Sequence, residues 1–208
     1  MVPHLPMSDE ITQKHLQRAR VRGAPSSIPG ASGLIGTYGF EEIQRQAVRA
    51  LCLPLDKDFT VAELRDAQAR LARVAAKQGL KVVEAPMFAL KADPMEQVPH
   101  EWEWELYLPV RGKATADEAE GVRVERLHSG AYIETQTAKG FRDLRNLYTY
   151  FLGEFLPVRH QQLVRPVIYH RVVAGIEADD PNGLTLEVFL PFAMTLREPM
   201  RLLTREEL

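Results

Sequence analysis

Cysteine is nearly absent from this chain, with one in 208 residues. A single thiol excludes an intrachain disulfide and a zinc site built from several cysteines, so a reducing cytoplasm is the expected compartment. An excess of either charge is missing too. Lys and Arg number 26 against 28 Asp and Glu, which works against a dedicated nucleic-acid binder. No apolar run approaches the roughly 20 residues that span a bilayer. The longest, around Tyr148 to Val158, is broken by Gly153, Glu154 and Pro157. The opening MVPHLPMSDEITQKHL carries charges early and has no signal-like apolar core. A soluble protein with no membrane partner is expected. The six histidines (His4, His15, His100, His128, His160, His170) show no short ligand spacing, so no metal is expected. Gly30 to Gly36 lacks the GK[ST] ending of a phosphate loop, and there is no G-x-S-x-G elbow. Cys52, between Leu51 and Leu53, reads as a buried structural thiol.

The chain does have the apolar content for a core, at 45% hydrophobic. Residues 1–40 read as an extension, with a short helix over about Ser8 to Val21 and a breaker-rich linker or lid from Gly23 to Gly33. Its basic residues, Lys14, Arg18, Arg20 and Arg22, read as a solvated helix face. From about residue 41 the pattern tightens. Glu42 to Leu53 reads as one strand. Thr60 caps a helix with Glu63 as its capping-box partner, Val61, Leu64, Leu71 and Val74 line its apolar face, and Gly79 closes it. Val82 to Leu90 reads as an edge or bulged strand because of Pro86. Glu101 to Val110 alternates strictly and is the clearest strand.

The same order then returns. Gly121 to His128 reads as a strand. Phe141, Leu144, Leu147, Tyr148, Phe151, Leu152 and Phe155 mark a helix face that Pro157 stops. Arg165 to Val172 and Leu184 to Phe192 read as strands. Trp104–Val110 (WELYLPV) aligns with Leu186–Phe192 (LEVFLPF), Leu64-Arg65-Asp66 with Phe141-Arg142-Asp143, and Pro86-Met87-Phe88 with Pro166-Val167-Ile168. Three landmarks in one order make an internal repeat. Neither half can bury both faces of its sheet alone. The expected fold is therefore α+β: a pseudo-two-fold tandem repeat (about 41–112 and 121–194) of strand–helix–strand–strand modules in one domain, 41–195, with a tail at 196–208. The modules form a curved antiparallel sheet with two helices on one side and a ligand cleft on the other.

Side chains alternate along a strand. The apolar sets Trp102, Trp104, Leu106, Leu108 and Leu184, Leu186, Val188, Leu190 must meet the helices. The other face then carries an acid and an aromatic two residues on in both halves: Glu105–Tyr107 and Glu187–Phe189. One reading is a solvated face. The sharper one is a cleft for a flat organic cation, with a carboxylate as counter-ion and rings adding about 0.5–2 kcal/mol of cation–π attraction.

These features resemble the gyrase-inhibitor-like (GyrI-like) small-molecule-binding family, which includes the effector domains of AraC-type and MerR-type multidrug regulators. The matching residues are the tandem modules, Leu127-His128-Ser129-Gly130-Ala131-Tyr132 before the second helix, the Pro166 to Tyr169 strand and LEVFLPF, over about Glu41 to Phe192. The resemblance implies that Glu187, and more loosely its mate Glu105, meets a lipophilic cationic or amphipathic ligand. Tyr107, Phe189, Tyr132 and Tyr169 are then the remaining binding residues, with no cofactor and no direct nucleic acid. About 40 residues precede the domain and no DNA-binding unit is read there, so a stand-alone member is expected. Two alternatives come with the resemblance. One is a hydrolase of small electrophiles with Glu187 as general base. The other is a protein-interaction role like that of the gyrase-inhibiting members. The related SOUL-type haem proteins share the tandem module, with His128 or His170 the only candidate axial ligands.

Overall fold

The computed structural model describes residues 38–98 and 101–195, and the backbone of 21–22. The helix expected over about 8–21, the linker at 23–33, and the tail at 196–208 lie outside the described residues, apart from Val21.

An 11-stranded antiparallel sheet carries the fold. Its first half contains β1 (Val21–Arg22), β2 (Phe40–Arg45), β3 (Val48–Leu55), helix α1 (Val61–Lys77), β4 (Lys81–Val82), β5 (Met87–Leu90) and β6 (Trp104–Arg111). The second contains β7 (Arg123–Leu127), β8 (Gly130–Thr137), α2 (Phe141–Tyr148), a π-helical turn (Thr149–Phe155), α3 (Leu156–Val158), β9 (Gln161–Leu163), β10 (Ile168–Ala174) and β11 (Thr185–Met194). The spatial order is β1-β2-β8-β11-β10-β5-β6-β3-β7, with β4 on β6 and β9 on β11. The pseudo-two-fold axis passes between β10 and β5, where His170 lies opposite its counterpart Phe88.

Five local expectations are corrected. Glu42 to Leu53 is two strands, because the chain breaks at Gln46–Ala47 and the pieces take different partners. β2 joins β8 of the other repeat, and β3 joins β6 of its own. The second repeat reciprocates: after His128–Ser129, β8 stays home while β7 pairs with β3. The strand β8 went unread in the sequence. Third, the prolines do not make edge strands. Pro86 and Pro166 sit in the breaks before β5 and β10, outside the ladder, so their missing N–H costs no ladder bond and both strands lie at the sheet centre. Fourth, the helices align with a shift of three: Thr60 and Gly140 are the N-caps, so Val61 matches Phe141. A three-residue shift keeps the same apolar face, which hides the error in the sequence. Fifth, Pro157 does not stop the second helix. The wider π turn precedes it and one more residue follows, Val158.

Other local readings hold. Thr60 Oγ1 accepts from the Glu63 N–H at 3.2 Å, and Glu63 Oε2 accepts from the Thr60 N–H at 2.6 Å. Gly79 ends α1 at φ +63°, with the Leu80 N–H returning to Ala75 O at 2.9 Å. The main core lies between the helices and one sheet face. It holds Leu64, Leu71, Phe151, Phe155, both tryptophans, Leu106, Leu186 and Val188. A second, smaller apolar cluster lies on the opposite face, with Ile43, Cys52, Met87, Tyr107, Leu127, Tyr132, Val167, Tyr169 and Phe189. No helix among the described residues is long and apolar enough to cross a membrane.

Candidate functional site on the sheet face away from the helices

Alternation in β6 and β11 turns Glu105, Tyr107, Glu187 and Phe189 away from the helices. β10 adds Tyr169 and Arg171, opposite Phe189 and Glu187 respectively. β8 adds Tyr132, Glu134 and Gln136 on the far side of β11. The repeats match in face and in register, and the expected alignment of Met87 with Val167 is corrected by two residues: Met87, opposite Tyr107, matches Tyr169, opposite Phe189. An even slip leaves every side chain on its own face.

The structure thus brings together the aromatic residues singled out in the sequence. The Tyr107 and Tyr169 rings are 6.0 Å apart, and those of Tyr132 and Tyr169 are 6.2 Å apart. All four aromatic side chains, with Phe189, are buried. They fill the space between the halves rather than lining an open one. Burial foremost raises the phenol pKa of Tyr107, Tyr132 and Tyr169, so all three remain neutral hydroxyls at physiological pH. Tyr132 donates to His128 O at 3.0 Å, and the Tyr169 hydroxyl pairs with His128 Nδ1 at 2.9 Å. The turn Leu127 to Tyr132 is thereby stitched to β10. Burial, then Arg165, holds the His128 imidazole below its ordinary pKa.

The two carboxylates differ. Both oxygens of Glu105 are engaged: Oε1 by Arg123 Nη2 at 2.5 Å, and Oε2 by Lys91 Nζ at 3.0 Å and by the Tyr107 hydroxyl. Burial pushes the Glu105 pKa up, but the bonds from Tyr107, Lys91 and Arg123 outweigh it and hold the carboxyl below its usual range. Among the described residues, Glu187 accepts only from Arg171. Nε (2.6 Å) and Nη2 both bond to the same oxygen, Oε2. Oε1 of Glu187 has no hydrogen bond among the described residues. Glu187 also borders an open pocket of about 520 Å³ with Glu41, Glu134 and Gln136.

Sequence reasoning missed the basic partners. A signal was present: Arg171 follows Pro166 by five residues, as Lys91 follows Pro86. A cation at the same place in both repeats, one strand away from each acid, marks a paired carboxylate. Arg45 and Glu84 were missed as well. Their ion pair, at 2.6 Å, joins the end of β2 to the loop before β5, and Arg45 lies over the Phe189 ring.

His170 fits no haem. It is fully buried on the helix side, stacked on Phe88, with Nε2 bonded to the Tyr148 hydroxyl at 2.6 Å and Nδ1 near Phe88 O at 3.3 Å. Both ring nitrogens are occupied by protein. Nor do the described residues gather three or more His, Cys, Asp or Glu as a metal would need. Cys52 is fully buried, and burial raises its pKa to about 11, so the thiol is unreactive. A second pocket, of about 460 Å³, lies by α1 on the helix side. Its acids Asp56, Glu63 and Asp66 alternate there with Arg70 and Arg73, and Glu63 is already spent on the helix cap.

No family model matches the chain, and no curated protein matches it. Solved structures do. A cryo-EM structure of an EcmrR–DNA complex in EcmrR-RPo matches at 15% identity and a TM-score of 0.59, over 76% of this chain and 58% of that one. This chain therefore spans less than two thirds of that protein. The EcmrR C-terminal domain by itself matches with the same identity and TM-score, and 98% of it is covered. A hydrolase encoded by lin2189 from Listeria innocua matches at 11% identity and a TM-score of 0.50, over 74% of this chain and 91% of that one. The likeness is one of fold. It agrees with the resemblance to gyrase-inhibitor-like proteins carried by the repeated strand.

Proposed function

We propose that this chain binds a small lipophilic organic cation on the sheet face away from the helices, with Glu187 as counter-ion and Phe189, Tyr169, Tyr132 and Tyr107 as its aromatic surroundings. The observation that carries this reading is the half-satisfied carboxylate of Glu187. Its Oε1 has no partner among the described residues, it borders an open pocket, and its partner Arg171 lies over the Phe189 ring. A carboxylate in that setting attracts a cation, and a ring face adds to the attraction. Glu105, with both oxygens engaged, serves as a structural brace. The resemblance of the closing strand supports the assignment of Glu187. The fold likeness to the EcmrR C-terminal domain supports a domain role of the same kind.

The test is a fluorescence titration at pH 8 with N-methylacridinium and with acridine, its neutral isostere. Tighter binding of the cation is expected. Equal affinity for the two, or no binding of either, contradicts the reading.

Hydrolysis with Glu187 as general base is the alternative. Arg171 works against it, since its two N–H donors already occupy Oε2, one of the two oxygens that could take a proton from water. Multiple turnovers on strained-ring or activated-ester substrates, lost in Glu187→Gln, would establish it. The filling of the space between the halves by buried rings is the observation that favours the other alternative, a protein-interaction role.

A further inference from the structure

Phe189 is flanked by two guanidinium groups of the chain itself. The carbon of the Arg171 guanidinium lies 5.3 Å from the ring centroid, and that of Arg45 lies 4.8 Å from it. Arg171 belongs to the neighbouring strand and is half of the Glu187 pair. Arg45 is different. It comes from the end of β2, the strand exchanged between repeats, and its side chain is only 6% exposed. Burying an arginine is costly unless its charge and its donors are matched. Arg45 has one carboxylate, Glu84 Oε2 at 2.6 Å, and one sulfur, Met87 Sδ at 3.7 Å, and both are reached by the same atom, Nη2. The rest of the fork finds no acceptor among the described residues. Two cations beside one ring also repel each other.

We infer that Arg45 is an internal occupant of the cation subsite, and that the ligand carries a planar delocalised cation, an amidinium or guanidinium, which replaces it. The inference rests on the binding reading above and deepens it by naming the ligand class and by adding Glu84, beside Glu187, as a second carboxylate for its cation. The subsite has the features such a group requires. Phe189 offers a flat π face, and Glu84 is a carboxylate acceptor at the edge of the stack. A planar fork matches a carboxylate in a way that a tetrahedral ammonium does not. Binding then means exchange. The ligand's cation takes the ring face and Glu84, while the Arg45 side chain, long and attached at a strand end, swings out into water. Arg45 thereby sets specificity. A neutral aromatic cannot take over Glu84, so displacing Arg45 would leave that carboxylate buried and unpaired.

The probes are benzamidine and its neutral isostere benzamide, titrated by calorimetry into the whole chain and two variants. Arg45→Met keeps the apolar volume and removes the occupant. Arg45→Gln keeps a planar hydrogen-bonding group and supplies a fold-preserving second variant. Both should bind benzamidine about tenfold more tightly than the parent, with benzamide changed much less. Adding Glu84→Gln to either should abolish the gain. Methylguanidinium should also raise the melting temperature of Arg45→Met and leave the parent's unchanged. Benzamidine affinity unchanged or weakened in both variants, with N-methylacridinium still preferred over acridine by the parent, would overturn this inference alone. Failure of parent and variants to bind any of these cations would overturn the binding reading with it.

Discussion

The two repeats share a backbone plan and differ in chemistry. In the first, α1 starts at a capping box on Thr60 and runs 17 residues to a glycine stop. In the second, the helix starts at Gly140 with no side-chain cap and widens into a π turn. At the sheet centre, Phe88 of β5 occupies the place that buried His170 takes in β10. On the opposite face Glu105 has three partners on two oxygens, while Glu187 has one partner on one. Duplication supplies the frame: an open antiparallel sheet whose halves are tied by exchange of β2 and β7. Divergence then makes one of two equivalent carboxylates a brace and leaves the other available. Two residues at equivalent places in the repeats are thus unequally satisfied.

The helix starts should respond very differently to alanine. At Gly140, φ is +54° and a Cβ would lie 1.9 Å from Pro181 O, which is backbone and cannot yield. Gly140→Ala should lose roughly 4 kcal/mol or more in denaturant unfolding. A loss below about 1 kcal/mol would show that the Pro181 loop is free to move. The central strands should differ in acid. Burial lowers the His170 pKa to about 3. Between that value and the ordinary one near 6.5, only the unfolded chain takes up the proton. Stability is therefore full above about pH 6.5 and falls as pH drops toward 3, by about 3 kcal/mol at pH 4. Replacing His170 by Phe, its counterpart in the other repeat, together with Tyr148→Phe to spare its hydroxyl, should flatten this slope in urea melts at pH 7, 5.5 and 4. An unchanged slope would place the acid sensitivity elsewhere. The smallest effect is at the other helix start, where Thr60→Ala should cost about 1 kcal/mol through loss of the capping box.

Much of this frame was legible in sequence. WELYLPV and LEVFLPF disclosed the repeat, and strict alternation assigned Trp104 and Leu186 to the helix side and Glu105 and Glu187 to the other. Thr60, Glu63 and Gly79 marked α1 because caps are local chemistry. The exchange of β2 and β7 was not legible, since alternation states which face a residue takes but never which strand lies beside it. β8 escaped notice because it opens on Gly130 and carries Glu134 and Gln136 on the face away from the helices, which dilutes its apolar signal. The site was half legible. Its acids and rings stood in the repeated strand, but Arg171 lies 16 residues from Glu187, and Arg45 lies 144 residues from Phe189. Such pairs depend on strand order, the same information that alternation withholds.

The inequality of the two carboxylates is most directly tested by titrating N-methylacridinium and acridine into Glu187→Gln and Glu105→Gln in parallel. Loss of cation preference in Glu187→Gln alone, with neutral acridine bound as before, is the expected result. Glu105→Gln should keep the preference and lose only stability as Lys91 and Arg123 are left unmatched. Equal loss of preference in both variants, or loss in Glu105→Gln alone, would contradict the assignment of Glu187 as the available acid.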